Sequence, residues 1–282
     1  MDPSLVKAIR NVPYYRESMY SDLDIAQTIE YMRKRFVAPM QNQTDISALG
    51  LVDCAAGFGW LSFSYLFSGG RRAILCDIDH ERLEAAREIA RILELDQRCE
   101  FICSPMNKLD FDPQSVGIFA SIETLEHVGN QNIDECIQVM ASATKRLIVL
   151  TTPNKLFPVI RHDTKIPFAH WLPKDLRRRY VRLFGKQDRA GNDFVSPLRL
   201  QPLRAQFQPV STVLTFPSVA AWEASYPYHS PYGTKDRLRA RPPVWLKAWY
   251  MLLATVLREQ AYLLSPNLCS IWARKDTTQE EG

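Results

Sequence analysis

The 282-residue sequence predicts an α/β fold: a doubly wound, mostly parallel seven-stranded sheet with N-terminal helices and a C-terminal insertion. Three features predict it. Short apolar runs alternate with helical patterns between about residues 46 and 154. The runs are near-continuously apolar, as strands covered on both faces are. The first run turns into the next helix through Ala55, Gly57 and Gly59, small residues of the kind that let a backbone approach a ligand closely.

Residues 1–45 read as a helical cap. In Asp22–Phe36, Ile25, Ile29, Met32 and Phe36 recur at helical spacing, and Tyr14, Tyr15 and Tyr20 precede them. Five strands follow in Leu49–Ala55, Arg72–Asp79, Cys99–Ser104, Val116–Glu123 and Lys145–Asn154. Helical patterns lie between them in Trp60–Phe67, His80–Leu95 and Asn132–Ala143. Right-handed crossovers then wind the sheet in both directions. Beyond Asn154 come a Pro-rich loop, a basic helix from Lys174, a strand in Phe207–Phe216, an aromatic stretch in Pro217–Pro243, a helix and a last strand in Asn267–Lys275. One domain is expected over 46–275, with an insertion at about 217–265 covering the acceptor side and a disordered tail at 276–282.

Composition narrows the class. Hydrophobic residues make up 46% and charged residues 23%, as in a soluble globular chain, and the net charge of +4 neither requires nor excludes nucleic acid. No RRM, KH or zinc-finger pattern favours it. The six cysteines form no C-x-x-C pair, and the N-terminus has no basic-then-apolar signal pattern. Reduced thiols and a cytoplasmic location are expected. In Pro242–Leu264 the uninterrupted apolar core is only Ala248–Leu257, short of the ~20 residues of a membrane span. It reads as a helix packed on its own domain. The alternative is an interfacial helix, peripheral to a membrane or resting on a hydrophobic acceptor. Arg177, Arg178, Arg179 and Arg182 wrap around one helix and read as a solvated face. A second basic group comprises Lys235, Arg237, Arg239 and Arg241. Phosphate-bearing substrates, lipid headgroups or RNA are the alternatives for both.

The chemistry begins at "LVDCAAGFGWLS". Asp53, Ala55, Gly57 and Gly59 sit where a strand becomes a helix with free N–H groups, and Asp77 ends the next strand where a carboxylate can take a ribose diol. On these residues, 46–154 resembles the core of the class I S-adenosylmethionine-dependent methyltransferases, with alanine for the family's first glycine. The resemblance implies that family's Rossmann-like fold and S-adenosylmethionine as cofactor. It implies a cofactor site of Asp53, Ala55, Gly57, Gly59, Asp77 and the adjacent Ile78, with Glu123 at the end of the fourth strand. The family's usual acid after the third strand is absent; Ser104, Pro105 and Met106 stand there, so adenine is expected on Ser104 or a backbone carbonyl, with Met106 packing its face. A nicotinamide enzyme would place glycine at Ala55 and would lack the "LEHV" and "TTPN" pair.

In "SIETLEHVG", Glu123, Glu126 and His127 stand at i, i+3 and i+4, one side of a helical turn. As "LEHV" alone, Glu126 and His127 merely open a helix. The full Glu-x-x-Glu-His is similar to the metal-binding motif of two O-methyltransferase groups. These are the polyprenyl catechol enzymes of ubiquinone biosynthesis and the 2′-O-methyltransferases of small-RNA ends. That likeness implies a divalent cation, Mg²⁺, Mn²⁺ or Zn²⁺, on Glu123, Glu126 and His127, with His162 or His170 as the further ligand. Without metal, His127 or His170 would act as general base. The expected function is O-methylation of a small-molecule, glycan or lipid-linked hydroxyl, with Glu123, His127 and His170 managing the nucleophile. Metal-independent N-methylation and a non-catalytic binding protein are the rivals. Tyr14, Tyr15, Trp171, Trp222, Tyr226, Tyr228, Tyr232, Trp245 and Trp249 would lie on the acceptor side.

Overall fold

Seven strands hydrogen-bond into one sheet in the order β3-β2-β1-β4-β5-β7-β6. They are β1 (Gly50–Cys54), β2 (Arg72–Asp77), β3 (Cys99–Cys103), β4 (Val116–Ile122), β5 (Thr144–Thr151), β6 (Phe207–Pro209) and β7 (Ser270–Arg274). This computed structural model describes residues 1–160, 163–187, 192–228 and 241–275. The first five strands pair in parallel, and β7 runs antiparallel to both β5 and β6.

The apolar runs divide by the two-residue period of a strand. Leu51, Leu75, Ile118, Ala120, Leu147 and Val149 pack on one face, and Val52, Ile74, Cys76, Phe119, Ile148 and Leu150 on the other. The first face is covered by the N-terminal helices α1 (Pro3–Arg10), α2 (Pro13–Glu17), α3 (Ile25–Met32) and α4 (Ala38–Gln41), together with α5 (Trp60–Phe67) and α6 (His80–Ile92). The second is covered by α7 (Ile133–Ala143) and a 3-10 segment, Pro197–Ala205. The cap thus shares the core of the sheet. Asp24 caps α3 by accepting from Gln27 N, and Asp79 caps α6 by accepting from Arg82 N.

Later elements are α8 (Lys174–Leu183), α9 (Val219–Ser225) and α10 (Val244–Val256). Three expectations are corrected here. The strand expected over Phe207–Phe216 ends at Pro209, and Val213 and Phe216 bridge across a tight turn in which Leu214 has φ 54°. The helix expected over Pro242–Leu264 breaks at Arg258, φ 49°, and continues as a 3-10 segment, Arg258–Leu264. Arg177 is not on a solvated face: it is buried and donates to Asp163 Oδ1 at 2.7 Å. Tyr232, Lys235, Arg237, Arg239 and the tail 276–282 lie outside the described residues, as does His162. Among the described residues, no helix is long and apolar enough to cross a membrane.

Candidate active site

From β1 the chain proceeds to β2 and β3 on one side and then to β4 on the other. The C-terminal ends of β1 and β4 therefore flank a crevice, the usual ligand position in such sheets. The turn after β1 is left-handed three times, at Ala55 (φ 59°), Gly57 (φ 58°) and Gly59 (φ 83°). At Gly59 a Cβ would also stand 2.7 Å from Leu75 Cδ2 and Phe63 Cζ. Only Ala55 carries a Cβ in that conformation, at a cost of about 1–2 kcal/mol. Ala55→Gly is therefore expected to stabilise the fold by about 0.5–1 kcal/mol after the added freedom of the unfolded chain, measurable by chemical denaturation.

Two carboxylates hold this turn. Asp53 is buried, and its Oδ2 accepts from Ser62 N (3.2 Å) and Ser62 Oγ (2.8 Å). It braces β1 against α5. Burial pushes it up to about 7, against the lowering effect of Ser62. Asp77 reaches across from β2: Oδ2 accepts from Gly57 N at 2.9 Å and Oδ1 from Asp79 N at 3.1 Å. Ile78, beside it, is 73% exposed, while Ser104 is half-buried and donates its own N–H to Asp77 O. Met106 is buried among core residues on the second face, so its packing partners are the core's own side chains.

The aromatic cap closes over the same turn. Tyr14 Oη donates to Asp79 Oδ2 at 2.9 Å. The rings of Tyr14, Tyr15 and Tyr20 stand 6.3, 4.9 and 6.0 Å from that of Phe58. The N-terminal helices thus fix the outer wall of the glycine turn.

At the end of β4 the expected helical turn does not form. Glu123 adopts φ 52°, Leu125–His127 is a single 3-10 turn, and α7 begins only at Ile133. The left-handed residue swings the chain sideways, so the i, i+3, i+4 geometry is lost. The glutamates instead lock onto β5. Thr151 Oγ1 donates to Glu123 Oε1 at 2.9 Å, Glu123 N donates to Thr151 O at 2.8 Å, and Thr152 Oγ1 donates to Glu126 Oε2 at 2.8 Å. The "TTPN" and "ETLE" segments form one unit.

Glu126 is buried. Burial first, and then the neighbouring Glu123 charge, raise it well above the usual carboxylate range. A carboxyl raised in the folded state binds its proton more tightly there than in the unfolded chain. Its contribution to stability is full below the ordinary value of 4.5 and is lost as pH rises through the raised one. Asp53, raised from 3.8 to about 7, acts with the same sign. Glu126→Gln is therefore expected to gain stability relative to the parent as pH rises from about 5 to about 8, read as a widening gap in denaturation midpoints.

The histidines do not join this unit. His127 is exposed. His170 is buried, with Nε2 2.9 Å from Lys155 O, an oxygen that also accepts from Trp171 Nε1 at 2.6 Å. Burial lowers the His170 pKa. It fastens the loop after β5. Among the described residues no three His, Cys, Asp or Glu side chains are placed to share a cation. The set Glu123, Glu126, His127 and His170 thus does not fit a divalent metal.

Arg35 carries no local signal in the sequence. Arg35 stands on a π-helical turn, Arg33–Val37, of the kind often found at functional sites. Its guanidinium carbon lies 6.0 Å from the Tyr31 ring centre and 5.7 Å from that of Phe36, and its buried Nε has no hydrogen-bond partner. Burial works against its charge, but Tyr31, Cys269, Tyr250 and Glu123 outweigh this and raise it. It is thus a cation within electrostatic reach of Glu123.

Residues 51–146 match the family model of a methyltransferase domain. Among solved structures, the PH0226 protein from Pyrococcus horikoshii is 18% identical with a TM-score of 0.50, covering 70% of this chain and 91% of its own. The fold is that of the class I methyltransferases. The MccD protein is 12% identical with a TM-score of 0.48, covering 88% of this chain and 96% of its own. Magnesium protoporphyrin IX methyltransferase from Synechocystis, with SAH bound, is 14% identical with a TM-score of 0.46, covering 66% of this chain and 74% of its own. No curated protein matches the sequence. Within the class I methyltransferase fold, the sequence located the glycine turn, Asp77 and the β4 terminus. It missed Phe58 under the cap, Tyr14 on Asp79, and Arg35. The tyrosine cluster was a visible signal for the first two. Nothing local marked Arg35.

Proposed function

We propose that this protein transfers the methyl group of S-adenosylmethionine to a hydroxyl of a small or lipid-linked acceptor. The observation that carries the reading is the Asp77 carboxylate holding the left-handed Gly57 amide at the crevice. Each Asp77 oxygen keeps a lone pair beyond its N–H bond, enough for two ribose hydroxyls. Ile78 offers an exposed apolar face to the adenine, Ser104 a hydroxyl at its edge, and Gly57 and Gly59 a close backbone. When bound, S-adenosylmethionine supplies a methyl already activated by the sulfonium.

The protein's own task is then alignment, exclusion of water and removal of one proton. Glu123, held by Thr151 and within electrostatic reach of Arg35, is the carboxylate placed to accept the proton of the acceptor hydroxyl as the oxygen bonds to carbon. Glu126, raised and buried behind it, keeps its own proton and limits the charge stored at the site. His127 and His170 take no part.

Calorimetric titration with S-adenosylmethionine and S-adenosylhomocysteine is the direct test, with saturable binding expected for both. Release of S-adenosylhomocysteine is then followed with paired hydroxyl and amine acceptors of the same skeleton. No binding of either nucleoside would refute the methyltransferase reading. Turnover of amines alone would refute the hydroxyl.

A further inference from the structure

A cavity of about 710 Å³ lies between the loop after β5, α10 and the 3-10 segment Arg258–Leu264. Leu156, Phe157, Trp245, Trp249, Leu252 and Leu264 supply much of its wall. Its volume falls within the roughly 300–1,000 Å³ of small-molecule sites. Its one amide side chain is already engaged: Asn154 Nδ2 donates to Leu263 O and Ser265 O, and Oδ1 accepts from Leu156 N. The wall therefore has little to offer a polar group and much to offer carbon.

Helix α10 is apolar on opposite sides. Tyr250 and Leu253 pack inward with Phe216 and Trp222. Trp245 and Leu252 face the cavity and remain 63% and 54% exposed, while Leu156 and Leu264 opposite are 47% and 48% exposed. An apolar surface left this open ordinarily marks a binding site. It is concave, so a single ligand fits it better than a flat bilayer face. Asn154, on its wall, follows Thr152, the partner of Glu126, by two residues, roughly 7 Å of extended chain. The cavity thus begins beside the end of β5, whose threonines hold the carboxylate pair.

We propose that this cavity binds a linear hydrocarbon chain, the acyl or isoprenoid tail of the acceptor, and holds its hydroxyl-bearing head at the crevice. The proposal rests on the methyltransferase reading for the identity of the head, but chain binding does not depend on it. Each further methylene buried would strengthen binding about threefold to fourfold. Because the cavity is finite, the gain should stop once the chain fills it.

Trp245 and Trp249 report occupancy directly. Dibrominated stearate, kept below its micelle concentration, is expected to quench their fluorescence saturably. Saturated fatty acids of increasing length should displace it with stepwise rising affinity to a plateau. Ala248→Phe, which fills the cavity, and Leu252→Gln, which makes its wall polar at an exposed position, should each weaken quenching at least tenfold. Calorimetric affinity for S-adenosylhomocysteine should stay unchanged in both. Quenching that is indifferent to both substitutions or to chain length would overturn the proposal. So would co-sedimentation with phosphatidylcholine vesicles unaffected by Ala248→Phe, which would make this face a membrane surface. Loss of nucleoside binding with chain binding intact would refute the methyltransferase reading and leave the cavity assignment standing.

Discussion

Asp77→Ala is expected to weaken S-adenosylhomocysteine binding by about 100-fold or more, equivalent to about 3 kcal/mol. Two losses combine. The carboxylate would no longer meet the ribose hydroxyls, and hydrogen bonds to a charged group are each worth about 1.5–3 kcal/mol. The Gly57 and Asp79 amides would also lose their acceptor, freeing a turn built from left-handed residues. Asp77→Asn separates the two. Its carbonyl oxygen can still accept from Gly57 N, so the turn should persist while only part of the ribose contact does. Calorimetry should rank the affinities parent, Asn, Ala. Ala and parent affinities within threefold of each other would exclude Asp77 from the cofactor site.

Glu123→Gln is expected to lower kcat by about 10²–10⁴-fold, the range for removing a positioned general base, with nucleoside affinity changed less than threefold. The amide oxygen can still accept from Thr151 Oγ1, so the β4–β5 junction should keep its geometry. Loss of the Glu123 charge should also bring Glu126 back toward the ordinary carboxylate range, because that charge is the second cause of its elevation. The pH profile of any residual activity should shift accordingly. His127→Ala serves as the comparison: an exposed side chain outside the Glu–Thr unit should leave kcat within about twofold, as surface substitutions usually do. Equal losses for the two variants would remove Glu123 from the base role.

The parallel strands were legible because strands covered on both faces must be apolar at nearly every position, and such runs survive any choice of neighbours. Gly57, Gly59 and Asp77 were legible for a related reason. A left-handed turn between strand and helix strongly favours glycine, and a carboxylate at the end of the neighbouring strand is placed to hold its amide. The spacing of Glu123, Glu126 and His127 did not carry over into the geometry it would have on a helix. The i, i+3, i+4 rule holds only on a helix, and Glu123 leaves the helical region at φ 52°. That conformation is held by contacts with Thr151, 28 residues away. His170 stands near an aromatic in the sequence, but its ring is committed to a backbone oxygen of the loop it fastens.

By itself the sequence determined the sheet, its winding, the glycine turn and the acid that holds it, since burial and backbone sterics act locally and leave their pattern in neighbouring residues. Only the tertiary structure decided which carboxylates meet, that Glu126 is buried behind Glu123, that Arg35 of the cap comes within electrostatic reach of Glu123, and that α10 breaks at Arg258 to wall an apolar cavity. Those outcomes depend on groups distant along the chain competing for the same space and the same hydrogen bonds, and no local spacing records who wins.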